Sequence, residues 1–125
     1  MATGKASDMS FWMAQPKLES GETIRWKSSA GRALNRWITS GGQLVVTDRH
    51  LLFQPNRFDA ATGKRPWGLP VGDVMDIEVI DRDLAVMAGG SRRRLGIKTS
   101  SGVEIFVVND LDTKIGELRG LVVQG

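Results

Sequence analysis

Between Gly42 and Asn56 the chain reads Gly-Gln-Leu-Val-Val-Thr-Asp-Arg-His-Leu-Leu-Phe-Gln-Pro-Asn, two apolar runs around a polar Thr47-Asp48-Arg49-His50 corner. This predicts a β-hairpin with strands over residues 43–47 and 50–54. Pro55 closes the second strand because its nitrogen has no proton to give to a ladder. The rest of the chain follows the same pattern. Fifteen glycines and four prolines interrupt it at short intervals, and apolar residues alternate between them, so many short strands are expected rather than helices.

A first strand is predicted over residues 23–28, with Ile24 and Trp26 inward and Arg25 and Lys27 outward. Ser28 to Gly31 begins a turn, Arg36 to Thr39 opens the second strand, and Gly41-Gly42 marks a bulge within it. Residues 57–65 form a loop. Trp67, Leu69 and Val71 alternate as a fourth strand, placed at an edge by Pro66 and Pro70. A fifth strand covers 74–81, Gly89-Gly90-Ser91 is a turn, and the sixth and seventh strands, 94–99 and 103–108, flank a tight turn at Ser100-Ser101-Gly102. The period then changes. Leu111, Ile115, Leu118 and Val122 share one face of a helix that Asn109 or Asp110 would cap. Gly116 and Gly120 have the spacing of a membrane-dimer motif, but Glu117 and Arg119 between them favour close packing on a sheet. Seven antiparallel strands and one terminal helix imply a mainly β fold, a strongly bent barrel with the helix closing one opening.

A chain of 125 residues is one domain, able to bury about 65% of the surface it exposes unfolded. We divide it into an N-terminal arm, residues 1–17, and a barrel domain, residues 18–125. No apolar run approaches the roughly 18 residues that span a bilayer, and the N-terminus lacks the apolar core of a secretory signal. With no cysteine there is no disulfide, thiolate nucleophile or cysteine-based zinc site, and a cytoplasmic location is the expectation. The net charge of +3 is unevenly spread. From Arg25 to Arg65 there are eight cations against Asp48 and Asp59, a net of +6; from Asp73 to Asp83 there are five carboxylates against Arg82, a net of −4. The basic side would attract an anionic partner, although outward strand positions in any soluble barrel also carry charge.

The order of these blocks resembles a known family. Leu18-Glu-Ser-Gly-Glu22 before a Trp-bearing strand, then Leu-x-Val-Thr-Asp-Arg-His-Leu-Leu-Phe within residues 42–56, resembles the GRAM domains of the pleckstrin-homology-like superfold. Trp67-Gly-Leu-Pro-Val71, Asp73-Val-Met-Asp-Ile-Glu78, Arg94-Leu-Gly-Ile-Lys-Thr99 and Glu104-Ile-Phe-Val-Val108 are similar to the family's later strands. The resemblance spans residues 18–123. It implies a seven-stranded bent barrel capped by a C-terminal helix and no catalytic centre, binding phosphoinositides, other acidic lipids, peptides or proteins. One departure stands out. Lipid-reading pleckstrin-homology domains usually carry a lysine late in the first strand and an Arg-x-Arg or Lys-x-Arg pair in the second. Here Lys27 is present, but Trp37 and Ile38 follow Arg36.

The loops after strands one, three and six fall at the same end of such a barrel. The candidate ligand-binding residues are Lys27, Arg32, Arg36, Arg57, Lys64 and Arg65, cations suited to a phosphate or an acidic lipid headgroup. The alternative is a protein-interaction adaptor, holding a peptide at a strand edge or beside the C-terminal helix. Arg92-Arg93-Arg94 would form a second basic patch at the opposite end, but without interleaved aromatics it is a poor nucleic-acid signature. Phe11-Trp12-Met13 is an apolar cluster in the arm, suited to docking on the barrel, a membrane interface or a partner's groove. His50 is the lone histidine and, even beside Asp48, makes no triad. The acidic run lacks calcium-loop spacing and no histidine pair is available for zinc, so no catalytic residue, metal or cofactor is expected.

Overall fold

The computed structural model describes residues 17–83, 90 and 92–122. Seven strands form one sheet: β1 (Ile24–Ala33), β2 (Thr39–Thr47), β3 (His50–Pro55), β4 (Trp67–Pro70), β5 (Asp76–Ile80), β6 (Arg94–Thr99) and β7 (Gly102–Val107). A short helix α1 (Arg57–Ala61) joins β3 to β4, a 3-10 turn (Val71–Asp73) precedes β5, and helix α2 (Leu111–Val122) follows β7. The spatial order is β4-β3-β2-β1-β7-β6-β5, and every neighbouring pair is antiparallel. Two meanders, β1 to β4 and β5 to β7, therefore meet at one seam. Its register is Gly31 opposite Val107 and Arg32 opposite Phe106.

Alternation decides which side chains enter the core. Leu44 and Val46 of β2, Leu51 and Phe53 of β3, Leu95 and Ile97 of β6 and Phe106 of β7 are all buried in one cluster. Phe106 lies at its centre, its ring 5.6 Å from Phe53 and 5.5 Å from Trp67. The helical face is as expected: Ile115, Leu118 and Val122 are buried and Leu111 packs beside them. Helix α2 thus covers the open side of the bent sheet against β5 and β6.

Several boundaries differ from the sequence expectation. Ser28 to Gly31 is not a turn. Ser28 and Ala30 are buried and pair with Leu44 and Gly42, so β1 runs on to Ala33. The irregularity in this hairpin lies between Ile24 and Trp26, and Gly41-Gly42 is regularly paired. Gly42 is needed for close approach, since a Cβ there would stand 2.2 Å from the Gln54 carbonyl oxygen. Residues 57–65 are not wholly loop, because the Asn56 side chain accepts the Asp59 N–H at 2.8 Å and starts α1. Val71 leaves β4 for the 3-10 turn, its N–H bonded to the Arg49 carbonyl at 2.9 Å. Phe11-Trp12-Met13 lies outside the described residues.

Candidate functional site

Residues 34–38 turn the chain from β1 into β2. The Asn35 side-chain oxygen accepts the N–H groups of Trp37 at 2.8 Å and Ile38 at 3.0 Å, and Leu34 donates to the Ile38 carbonyl at 2.9 Å. This closure leaves the apolar side chains of the turn no core to enter. Trp37 is 65% exposed, Ile38 47% and Leu34 41%, with exposed Arg36 among them. Trp37 and Ile38, expected at the opening of a strand, stand in this turn, and β2 begins only at Thr39. The overlooked signal was Asn35, a residue that bonds its own backbone two or three positions on.

Helix α1 is fixed to the same end of the sheet. The Asn56 N–H reaches the Gly41 carbonyl at 2.9 Å, and the Asp59 carboxylate receives the Gly41 N–H at 2.6 Å. Asp59 is therefore turned inward, while Phe58 is 70% exposed beside exposed Arg57. Lys64 is half-buried, its N–H bonded to the Asp59 carbonyl at 3.0 Å, and Arg65 beyond it is exposed. The loops after β1 and β3 thus present Leu34, Trp37, Ile38 and Phe58 together with Arg36, Arg57, Lys64 and Arg65.

The concave mouth between them is different in character. A cavity of about 260 Å³ lies between β4 and the β6–β7 turn, lined by Trp67, Leu69, Thr99, Ser101, Asp73 and Glu104. Arg32 faces Glu104, its Nε 3.0 Å from Oε1, with the guanidinium 5.5 Å from the Trp67 ring centre. Of the six predicted cations, Arg32 is committed to this internal pair. Lys27 is exposed in mid-β1 opposite Val45, away from the hairpin tip. Arg36, Arg57, Lys64 and Arg65 stand on the loops around the rim.

The opposite end is tied by polar bonds. The buried Glu22 carboxylate accepts from the Thr47 hydroxyl, from the Glu19 N–H at 2.8 Å and from His50 Nδ1, 2.7 Å away. The Thr47 bond, then the Glu19 N–H and the His50 contacts, lower its pKa from 4.5 to about 2. Asp48 turns from His50 and accepts the Thr23 N–H at 2.9 Å. Glu19, Glu22 and His50 are close enough together to hold a metal, but Arg49 already engages Glu19 at 3.1 Å, and Glu22 is bonded throughout. Each of the three arginines at 92–94 also meets a protein acceptor. Arg92 bonds the Val108 carbonyl at 2.7 Å, Arg93 the Asp112 carboxylate at 3.3 Å, and Arg94 the Asp81 carbonyl at 2.9 Å.

No family model matches the chain, and no curated protein sequence does. Solved structures do. The crystal structure of the C-terminal domain of an unknown protein from Leishmania infantum is similar at 17% identity and a TM-score of 0.60, covering 84% of this chain and 88% of that one. The Vps36 N-terminal PH domain is similar at 14% identity and a TM-score of 0.54, covering 88% and 89%. The fold is pleckstrin-homology-like. In this chain two loops at one end of the sheet carry exposed aromatic and basic groups. Among the described residues no helix is long and apolar enough to cross a membrane.

Proposed function

We propose that this chain is a non-catalytic binding module of the GRAM type that associates peripherally with acidic lipid surfaces through the β1–β2 and β3–β4 loops. The observation that supports this is the joint exposure of Trp37 and Phe58 among Arg36, Arg57, Lys64 and Arg65. Aromatic rings favour the boundary between headgroups and acyl chains. Cations near an anionic leaflet gain about 1 kcal/mol each, an attraction that salt screens. Such leaflets face the cytoplasm, which suits a cytoplasmic, peripheral protein. The concave mouth contributes little to this reading, because Arg32 is neutralised by Glu104.

The adaptor reading has less support at the β5 edge. Arg119 holds the Ile77 carbonyl, and the Asp76 carboxylate receives the Ile77 N–H at 2.8 Å, so an incoming peptide strand would have to displace both. Flotation with vesicles of phosphatidylcholine, with and without phosphatidylserine, tests the proposal. Binding that needs phosphatidylserine and weakens with salt is expected. Equal, negligible flotation with both vesicles would end it.

A further inference from the structure

The β1–β7 pairing stops after Gly31–Val107 and Arg32–Phe106, and beyond it the two strands separate. Phe106 and Arg32 face inward, so by alternation Ile105, Val103 and Ala33 face out. A cavity of about 200 Å³ opens there on the outer surface, lined by Ala33, Asn35, Arg36, Arg94, Val103 and Ile105. Among the described residues its lining combines an apolar floor with two guanidinium groups and contains no carboxylate.

Arg94 makes this groove more than a surface dent. It is only 3% exposed, and one of its terminal nitrogens is spent on the Asp81 carbonyl. Its Nε is buried with no hydrogen-bond partner among the described residues. A buried cationic donor without an acceptor is costly, and an anion in the groove would supply the acceptor. Asn35 spends its oxygen on the hairpin turn, which leaves its side-chain nitrogen to donate. Exposed Arg36 adds a second cation at the entrance.

We infer that this outer groove binds a phosphate monoester or diester carrying a short aliphatic group. The anion meets Arg94 Nε, Arg36 and the Asn35 amide, and the aliphatic part lies on Ala33, Val103 and Ile105. The ester can belong to a soluble metabolite or to the glycerophosphate of a lipid, and both have the same contacts here. The site lies outside the barrel, separate from the mouth that Arg32 and Glu104 fill.

Nitrogen-15 NMR titration of the full chain with monobutyl phosphate tests this, with inorganic phosphate as the comparison. Expected are saturable shifts of the Arg94 Nε–H and of the Ala33, Asn35 and Ile105 amides, with inorganic phosphate binding about tenfold more weakly for want of apolar contact. Arg36→Ala should weaken monobutyl phosphate about tenfold. Ile105→Ser should remove the preference for the butyl ester while vesicle flotation persists, whereas Trp37→Ala should do the reverse, so the two sites fail separately. Arg94→Lys should abolish the effect, and the Arg36 and Ile105 variants keep the test decisive if that protein does not fold. Dibutyryl phosphatidate binding tighter than monobutyl phosphate upholds the site and assigns a lipid; equal or weaker binding upholds it and assigns a soluble ester. No saturable shift at Arg94 Nε–H, or shifts at Arg36 alone that inorganic phosphate matches, overturns the proposal.

Discussion

The carboxylate of Asp59 in α1 receives the backbone N–H of Gly41 in β2 at 2.6 Å, tying the β3–β4 connection to the turn end of the β1–β2 hairpin. With the Asn56 N–H on the Gly41 carbonyl, this bond fixes the loop that carries Phe58 to the strand that follows Trp37. Asp59→Ala is expected to cost about 2 kcal/mol, the worth of a hydrogen bond to a charged acceptor. Thermal unfolding would show the loss, and vesicle flotation should fall with it although no exposed aromatic or basic residue has changed.

Trp37→Ala should behave in the opposite way. An exposed side chain with no core contact contributes within about 0.5 kcal/mol of zero to stability. Its melting temperature should match the parent while flotation with phosphatidylserine vesicles drops several-fold. A large loss of stability would instead mean that Trp37 packs.

Acid should act through Glu22. Its carboxyl has an ordinary value of 4.5 and is lowered to about 2 in the fold. The folded state therefore binds fewer protons than the unfolded one across that window, so the group's stabilisation is full above pH 4.5 and is lost as pH falls toward 2. Glu22→Gln should be less stable at neutral pH and should flatten the stability profile between pH 4.5 and 2. Urea midpoints measured across that range would check both features.

Gly42 should tolerate no side chain. An added Cβ would lie 2.2 Å from the Gln54 carbonyl oxygen and 2.8 Å from the Pro55 Cα, both backbone atoms of the paired strand. Gly42→Ala should cost about 3 kcal/mol or more through overpacking. Gly116→Ala in α2, where no atom of the described residues lies within 4 Å, should gain up to about 1 kcal/mol from helix propensity. A pair of chemical-denaturation curves separates the two outcomes.

Arg119 guards the free edge of β5 by placing Nε and Nη2 at 3.0 and 2.6 Å from the Ile77 carbonyl. Arg119→Ala should cost about 1 kcal/mol and leave that carbonyl open to strand addition. Light scattering at rising concentration should show self-association in the variant and not in the parent.

The strands were legible because period-two alternation and glycine or proline punctuation act locally. Residues 94–99 form β6 over the expected span, and the Thr47 to His50 corner turns as read. What escaped depends on partners distant in sequence. Ser28 and Ala30 look like turn residues until Leu44 and Gly42 pair with them. Arg32 looks like a loop cation until Glu104, far along the chain, stands beside it. His50 looks like a plain turn residue, yet its bond to Glu22 joins two segments that no local pattern connects. The exposed aromatic tip was hidden for a simpler reason: Trp37 and Ile38 have strand propensity, and only the Asn35 side chain shows that the chain turns there.

The narrow seam between β1 and β7 has a consequence for how the molecule opens. The β1–β2 ladder has nine registered pairs, whereas the seam joining the two meanders has two. Backbone protons of Arg32, Phe106 and their neighbours should therefore exchange with solvent through partial parting of the barrel, at a lower free energy than those in mid-β2. At that seam the barrel is closed by its shared apolar core more than by its ladder, so it should part along that line before it melts.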